Sequence, residues 1–478
     1  MDILRKLEKG ALLLFLVLTI AANGSWAAEY KKVDHITLAK YKKWVDDPTP
    51  LNKVLPYSKV LPPDVYAKLT FDIPAMKKAW EEAVGFKAPD VVGKIAPEIK
   101  PGKYTYKDIE TMPGLKELMI PYYRDHAFKP AGPPWAVNFS EFTIIPTQQY
   151  YYALPIAQAT VKNMGKTKLD DKGYIIDDTY QGGLPYPRPA GKFKGQEILY
   201  NTVKKYLNSE SDDSTGQFKG FNRNLKMDFD GLIEQRVLRV AKRLVIPPLG
   251  YLDERARARK EENAILLTYV APRDQAGTAL QAITFEDAKK FDEMYLYIGV
   301  LRRLRQMSTT DTQDALGGQD VIYDDNRGFS ALTPTRNPWV AEVIADREFL
   351  VPTTTDGSLY VSSKGWELKN VEMERRPCWV VKMTQMDKNY VYGSKILYID
   401  KETLLWYLYE SYDQKGRLYR TGHEIRTFIP EMGMHSQRFV WNRDHIDLHS
   451  SFAIPFLTPM YYMKRADVGL EGLIKKGK

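Results

Sequence analysis

The stretch CWVVKMTQMDKNYVYGSKILYIDKETLLWYLYESYDQKGRLYRTGHEIRTF, residues 378–428, decides the fold. Apolar runs rich in Val, Ile, Leu, Trp and Tyr are broken by the short polar turns Asp387-Lys388-Asn389, Asp400-Lys401-Glu402 and Asp413-Gln414-Lys415-Gly416. β-Branched and aromatic side chains suit a pleated surface, and Asp, Asn and Gly at these intervals reverse the chain. The stretch therefore predicts consecutive hairpins, an antiparallel meander. Its strands are apolar on both parities. Trp379, Val381 and Met383 alternate with Cys378 and Val380; Leu397 and Ile399 alternate with Ile396 and Tyr398; Leu405, Tyr407 and Tyr409 alternate with Leu404, Trp406 and Leu408. A meander wet on one side needs only one apolar face. Two such faces mean either a second packed layer or an interior cavity that takes a greasy ligand.

The same texture extends upstream. LKMDFDG (225–231), NAILLTYVAP (263–272), TALQAITF (278–285), EMYLYIG (293–299) and VLRRLRQM (300–307) each read as a strand, the first ending in an Asp-Gly turn. A less regular stretch separates them from the meander. AQATVKNMGKTKLDDKGYIID (157–177) reads as two strands about Asp171-Lys172-Gly173, and residues 208–216 as a polar loop. Two segments have helical spacing. In DIPAMKKAWEEAVG (72–85), Asp72 is placed to cap, Pro74 sits in the first turn and Gly85 follows the end. Met76, Ala79, Trp80, Ala83 and Val84 give that helix one apolar face. Ile198, Leu199, Thr202, Val203, Tyr206 and Leu207 mark a second helix, lying on a sheet.

Arg5, Lys6 and Lys9 precede the apolar run Ala11–Ala22, and Ser25-Trp26-Ala27 supplies a small-x-small pattern. That order reads as a secretory signal peptide cleaved after Ala27, its apolar run short of the ~20 residues that span a bilayer. No cysteine follows it to accept a lipid, and the single cysteine, Cys378, cannot form an internal disulfide. The expectation is a periplasmic protein in three parts: the leader 1–27, a partly helical, proline-rich region 28–145, and a β domain 146–478. Export and the mixing of basic with acidic residues argue against nucleic acid as a partner, and the formal charge of +9 suits weak peripheral contact with an anionic membrane.

The G-x-S-x-G elbow, the P-loop, the H-E-x-x-H pair and the Rossmann glycines do not occur. In RDHIDLHSS (443–451) a strand would project His445, Asp447 and His449 from one face, with His423 and His435 earlier in the chain. Histidine and carboxylate suit zinc or iron, which gives the alternative of a metal-dependent periplasmic enzyme; alternating polar residues equally describe any solvent-facing strand. No cofactor is expected. Arg302, Arg303 and Arg305 precede Asp311, Asp314, Asp320, Asp324 and Asp325. These read as a surface charge cluster whose arginines and aspartates pair, each exposed pair worth ~0–1 kcal/mol. A docking surface for a membrane or a partner is the second reading. The aspartates lack the spacing of a calcium loop.

A family resemblance rests on several of these stretches. MYLYIGVLRRLRQMS (294–308), an aspartate-bearing loop and GGQDVIYDD (317–325) resemble a pattern in exported bacterial outer-membrane lipoprotein-sorting proteins. QATVKNMGKTKL and YQGGLPYPRPAGKFKGQEILYN (within 158–201), with RRPCWVVKMTQ to GRLYR (375–420), resemble domain of unknown function family 1329 (DUF1329). The resemblance covers roughly residues 155–425. It implies an α+β, mainly antiparallel fold in which a curved half-barrel sheet wraps around covering helices, as in the LolA/LolB-like periplasmic lipoprotein carriers. It implies a lipid, a lipoprotein acyl chain or another hydrophobic molecule as ligand and an inner-membrane exporter or outer-membrane protein as partner. It supplies no catalytic residues. One strand parity would then line a cavity: Trp379, Val381, Leu397, Ile399 and Trp406 are the expected wall, with Tyr269 and Tyr297 as its amphipathic mouth. A register change of one residue inverts that choice. A ligand-free periplasmic adaptor is the remaining alternative.

Overall fold

The computed structural model describes residues 31–32, 62–66, 72–127, 137–206, 210–287, 290–307, 313, 320–328, 338–362, 365–456 and 463–471. The expected leader, Leu207, Asp311 and Asp314 lie outside these residues. The strands in chain order are β1 (Lys31–Lys32), β2 (Gly102–Thr105), β3 (Val137–Asn138), β4 (Glu141–Ile144), β5 (Ser211–Asn222), β6 (Met227–Arg239), β7 (Glu261–Ala271), β8 (Ala279–Phe285), β9 (Glu293–Ile298) and β10 (Arg303–Gln306). They continue with β11 (Trp339–Thr354), β12 (Leu359–Ser362), β13 (Gly365–Leu368), β14 (Glu372–Gln385), β15 (Ser394–Asp400), β16 (Trp406–Tyr412), β17 (Leu418–Ile429), β18 (Met434–Asp444) and β19 (His449–Phe456). Three helices position the candidate site: α1 (Ile73–Val84), α2 (Leu154–Asn163) and α3 (Lys194–Val203). No helix among the described residues is long and apolar enough to cross a membrane.

The predicted meander is β14 to β17, in the register Val381↔Leu397, Leu397↔Tyr409 and Tyr409↔Gly422. It belongs to a 15-stranded sheet, mainly antiparallel, whose order is β10-β9-β8-β7-β6-β5-β19-β18-β17-β16-β15-β14. β11 runs along β14, and the short strands β4 and β2 continue from its Glu372–Met373 end. β1, β12, β13 and β3 form a separate four-stranded sheet.

Both apolar faces of the meander are covered by packed layers. One face sets Trp379, Val381, Met383, Leu397, Ile399 and Trp406 against α1, α2 and α3. The other sets Cys378, Val380, Tyr398, Tyr407 and Leu408 against residues 109–123 and the small sheet, through Leu115, Leu118, Tyr123, Leu359 and Trp366. This second layer, rather than a barrel interior, accounts for the double apolarity. The expected half-barrel is replaced by an open order: no pairing among the described residues joins β10 to the β11 end of the sheet. A sheet buried on both sides by separate layers has no need to curl over itself.

Local chemistry explains the helices. The Asp72 carboxylate accepts from the Ala75 N–H at 3.0 Å, Pro74 occupies the first turn, and Gly85 ends α1 at φ +90°. Met76, Trp80, Ala83 and Val84 are the buried face. In α3, Ile198, Leu199 and Thr202 are buried as the spacing predicts. The two strands expected over 157–177 are not formed. Pro155 opens α2, Ile156, Ala157 and Thr160 pack inward at helical spacing, and only a Leu169↔Ile175 bridge remains about the turn. Residues 211–216, expected as loop, belong to β5. The Asp230-Gly231 turn is also absent: β6 runs through both residues, which pair with Lys219 and Phe218 of β5, and Gly231 leaves room for the Phe229 ring, 2.8 Å from where a Cβ would stand.

Candidate functional site

β14, β15 and β16 bring five of the expected wall residues together. Pairing sets Trp379 against Ile399, Val381 against Leu397, and Ile399 against Trp406. All five are buried with Trp80, Ile156, Ala157, Ile198 and Leu199 in one cluster, as the floor beneath the helical layer. Tyr269 and Tyr297, expected at the mouth of the same cavity, sit apart from it. Tyr297 on β9 packs with Met463, Val468 and Leu470, and Tyr269 stands partly buried beside the β7–β8 turn.

A cavity of about 400 Å³ opens at the margin of the helical layer, between the end of α2 and the start of α3. Its wall is built by the GGLPYPRPAGKF segment. Gly183, at φ +79°, lies so close to α2 that a Cβ would stand 2.6 Å from the Thr160 nitrogen. The Thr160 hydroxyl then accepts the Leu184 N–H at 3.0 Å. The Asn201 side chain of α3 accepts the Tyr186 N–H and donates to the Tyr186 carbonyl, at 2.9 and 2.7 Å. These bonds hold the Tyr186 ring in the cavity wall with Met164, Leu169, Pro187 and Phe193.

The cavity is polar at its rim, where Lys168, Arg188, Lys192 and Glu197 also line it. Arg188 donates to the Glu82 and Ala83 carbonyls at the end of α1, at 2.6 and 3.1 Å. Glu197 accepts the Ala190 N–H at 2.7 Å, and burial raises its carboxyl pKa above the usual value. The Tyr186 hydroxyl is buried without a protein partner, and burial, with Glu197 nearby, raises its pKa so that it stays a neutral donor. A buried hydroxyl left unpaired is costly, so this one suits a ligand oxygen. An apolar cup with three cations against one carboxylate fits a greasy body ending in an oxygen-bearing or anionic head. Its volume is within the ~300–1,000 Å³ common for small-molecule sites. Tyr186 and Leu169 share the cluster that contains Trp379 and Val381, so the cup is continuous with the sheet floor through packed side chains.

α3 can seat on β11 only because residue 195 is glycine: a Cβ there would lie 2.4 Å from the Ala341 carbonyl oxygen. Gly195→Val is expected to lift α3 from the sheet and cost about 1–3 kcal/mol, as overpacking does. Thermal unfolding of the variant reads the cost, and an unchanged transition would show that α3 is seated otherwise.

The metal constellation is not assembled. The chain turns at residues 445–448, where Asp444 accepts the Ile446 and Asp447 N–H groups at 2.9 and 2.8 Å, so the three residues share no strand face. His445 instead contacts the Tyr122 and Thr421 hydroxyls at 3.1 and 3.2 Å. His449 bridges Asp320 and Asp228 at 2.9 Å. Among the described residues no group of three His, Cys, Asp or Glu is arranged to hold a metal ion.

The expected arginine–aspartate cluster is also redistributed. Asp325 is buried against Lys395 at 2.6 Å and the Tyr392 hydroxyl at 2.7 Å, while Asp320 holds His449. Arg302, Arg303 and Arg305 stay exposed, with no ion pair to a described residue. A buried carboxylate needs a partner in the core, and β10 at the sheet edge is too far into water to supply one.

Sequence reasoning missed a buried polar network around Arg376. Asp400 and Glu402, read as a solvent turn, are fully buried beside Arg376 at 2.7 Å each. Glu402 accepts the Ala88 and Tyr150 N–H groups at 2.8 Å, and the Arg376 guanidinium donates to the Gln148 carbonyl at 2.7 Å. Tyr150 donates to Glu374, which is 3.6 Å from the same guanidinium. The network ties residues 88 and 148–150 to the β14–β16 region. Burial raises the carboxyl pKa values of Glu402 and Glu374; at Asp400 burial also acts upward but Arg376 outweighs it, and the pKa is lowered.

The whole assembly is an open antiparallel sheet with a helical cover and a small marginal cavity. Residues 139–452 match the family described as protein of unknown function (DUF1329), and the chain belongs to that family. No curated protein matches the sequence. Among solved structures, a domain named for outer membrane lipoprotein sorting from Vibrio parahaemolyticus is similar at 16% identity, with a TM-score of 0.40, over 59% of this chain and 98% of that one. A DUF1329 family protein from Desulfovibrio piger is similar at 12% identity and TM-score 0.40, covering 55% of this chain and 91% of its own. A LolA superfamily protein from Nitrosomonas europaea is similar at 12% identity and TM-score 0.35, over 57% and 97%.

Proposed function

We propose that the chain is a periplasmic binding or carrier protein for a lipid, a lipoprotein acyl chain or another hydrophobic molecule with a polar head, serving traffic between an inner-membrane exporter and the outer membrane. The observation that carries this reading is the cavity beside Tyr186, an apolar cup continuous with the aromatic floor of the sheet and rimmed by cations. The head would lie at Tyr186, Lys168 and Lys192, and the body against Leu169 and Phe193. Growth of the cavity toward Trp379, Val381, Leu397, Ile399 and Trp406 would require α1, α2 and α3 to part from the floor on which they pack. Trp406 would then report on a brominated ligand.

Native mass spectrometry and lipid extraction of protein taken from its own periplasm test the proposal. A co-purifying amphiphile is expected, with binding of a fluorescent fatty acid that weakens about tenfold in Tyr186→Phe if the hydroxyl makes one hydrogen bond to a charged head, worth about 1.5 kcal/mol. Protein free of lipid and indifferent to the probe would overturn the reading.

A further inference from the structure

Residues 300–307 form the most exposed apolar segment of the described chain. Val300 and Leu301 are 67% and 56% exposed at the β9–β10 turn, Leu304 is 47% exposed on β10, and Met307 is 37% exposed beyond it. The intervening Arg302, Arg303 and Arg305 are exposed as well, and the segment contains no acidic residue. The turn is held rather than loose. Arg302 donates its N–H to the Gly299 carbonyl, Gly299 donates to the Thr278 hydroxyl at 3.3 Å, and β10 pairs with β9 from Arg303↔Ile298 to Gln306↔Tyr295. Gly299 lies against the β7–β8 turn, so a second hairpin tip, bearing exposed Arg273 and Asp274, stands beside the first.

We infer that this hairpin tip docks the protein on an anionic phospholipid surface, Val300 and Leu301 entering the interface while the arginines meet lipid phosphates. Isolated exposed apolar side chains need no explanation, but four within eight residues, interleaved with guanidiniums that have no ion pair among the described residues, match both layers of a bilayer surface. Guanidinium binds phosphate bidentately, which suits Arg at the headgroup level. The charge pattern also selects against a second copy at this edge. Two β10 strands paired antiparallel about Leu304 would bring Arg303 of each copy against Arg305 of the other, a like-charge opposition that natural sheet edges use to prevent pairing. The inference stands apart from the cargo reading, since a tip can dock whether or not the cavity is filled.

Sedimentation of the full chain with vesicles of phosphatidylcholine alone and of equimolar phosphatidylcholine and phosphatidylglycerol tests it. Binding is expected to the anionic vesicles only and to weaken as salt is raised. With each basic residue contributing about fivefold, the R302E/R303E/R305E variant should lose at least a hundredfold. V300S/L301S should lose roughly tenfold or more at unchanged charge. All five positions are exposed, so thermal unfolding should be unaltered in both variants. Equal binding to neutral vesicles, or undiminished binding by the triple variant, overturns the inference. So does a dimer in light scattering that the triple variant abolishes, for the edge would then serve a second copy.

Discussion

Arg376→Leu is expected to destabilise the fold by about 3–5 kcal/mol, the cost of leaving buried carboxylates without their cation. Asp400 and Glu402 each sit 2.7 Å from this guanidinium, and neither has access to water. The loss should appear in urea unfolding and in protease cleavage near residues 88 and 148–150, which the network holds down. A variant that also carries Asp400→Asn and Glu402→Gln should regain part of the loss, because it removes the stranded charges. Neighbouring Arg375 provides the comparison. It donates to the Ile95, Ala96 and Ile99 carbonyls and pairs with Glu348 at 3.7 Å, so Arg375→Leu strands one carboxylate that still accepts the Gly93 and Ile95 N–H groups. Its cost should be the smaller. An Arg376→Leu protein as stable as the parent would mean that the network is not closed in solution.

The second large effect is on pH dependence. His423 lies stacked on Trp441 at 4.3 Å, with neither ring nitrogen bonded, and meets Tyr122 and Tyr123 of the layer opposite the helical cover. Burial, then Arg443, His445 and His126, push its pKa well below the ordinary value. Burial and neighbouring cations lower His435 and His445 to about 3. In each case the unfolded chain takes up a proton near pH 6.5 that the folded chain refuses. Stability from these groups is therefore full above pH 6.5 and falls as pH drops toward 3, by about 2 kcal/mol per histidine at pH 5. His449 runs the other way. Burial opposes its charge, but Asp320 and Asp228 outweigh burial and raise it to about 9. Its contribution is complete below pH 6.5 and is lost as pH rises through 9, about 2–3 kcal/mol after allowing for the exposure of Asp228. Urea unfolding at pH 5, 6.5 and 9 should show a maximum at the middle value, with His449→Gln flattening the alkaline side. A monotonic profile would contradict these protonation states.

The meander and α1 were legible because their signals are local. Turn residues at short intervals fix hairpins, and a side-chain cap, a first-turn proline and a terminal glycine fix a helix, whatever surrounds them. α2 was misread because Ala157–Asn163 contains the β-branched Thr160 and Val161, whose strand preference is overridden once Ile156, Ala157 and Thr160 find a surface to pack on. Asp400 and Glu402 were misread for a related reason: a polar turn and a buried polar turn have the same sequence, and only the arrival of Arg376, Ala88 and Tyr150 from distant positions separates them. The five floor residues were chosen in the parity that faces the helices. The cavity wall at Tyr186 was visible only as a glycine- and proline-rich interruption, since its shape depends on contacts to Thr160 and Asn201 that spacing does not reveal.

The pairing of β19 with β5 has a consequence for the order in which the molecule can be completed. Phe218↔Ala453 and Phe221↔Ser450 lie in the interior of the sheet, not at its rim. A chain emerging from its N-terminus exposes one full edge of β5 until everything from β6 to β18 has followed. Contacts so distant along the chain close slowly, and an open strand edge invites foreign pairing in the interval. Loss of β19 would therefore split the sheet in its interior, leaving two half-sheets with two newly bared backbone edges, β5 and β18.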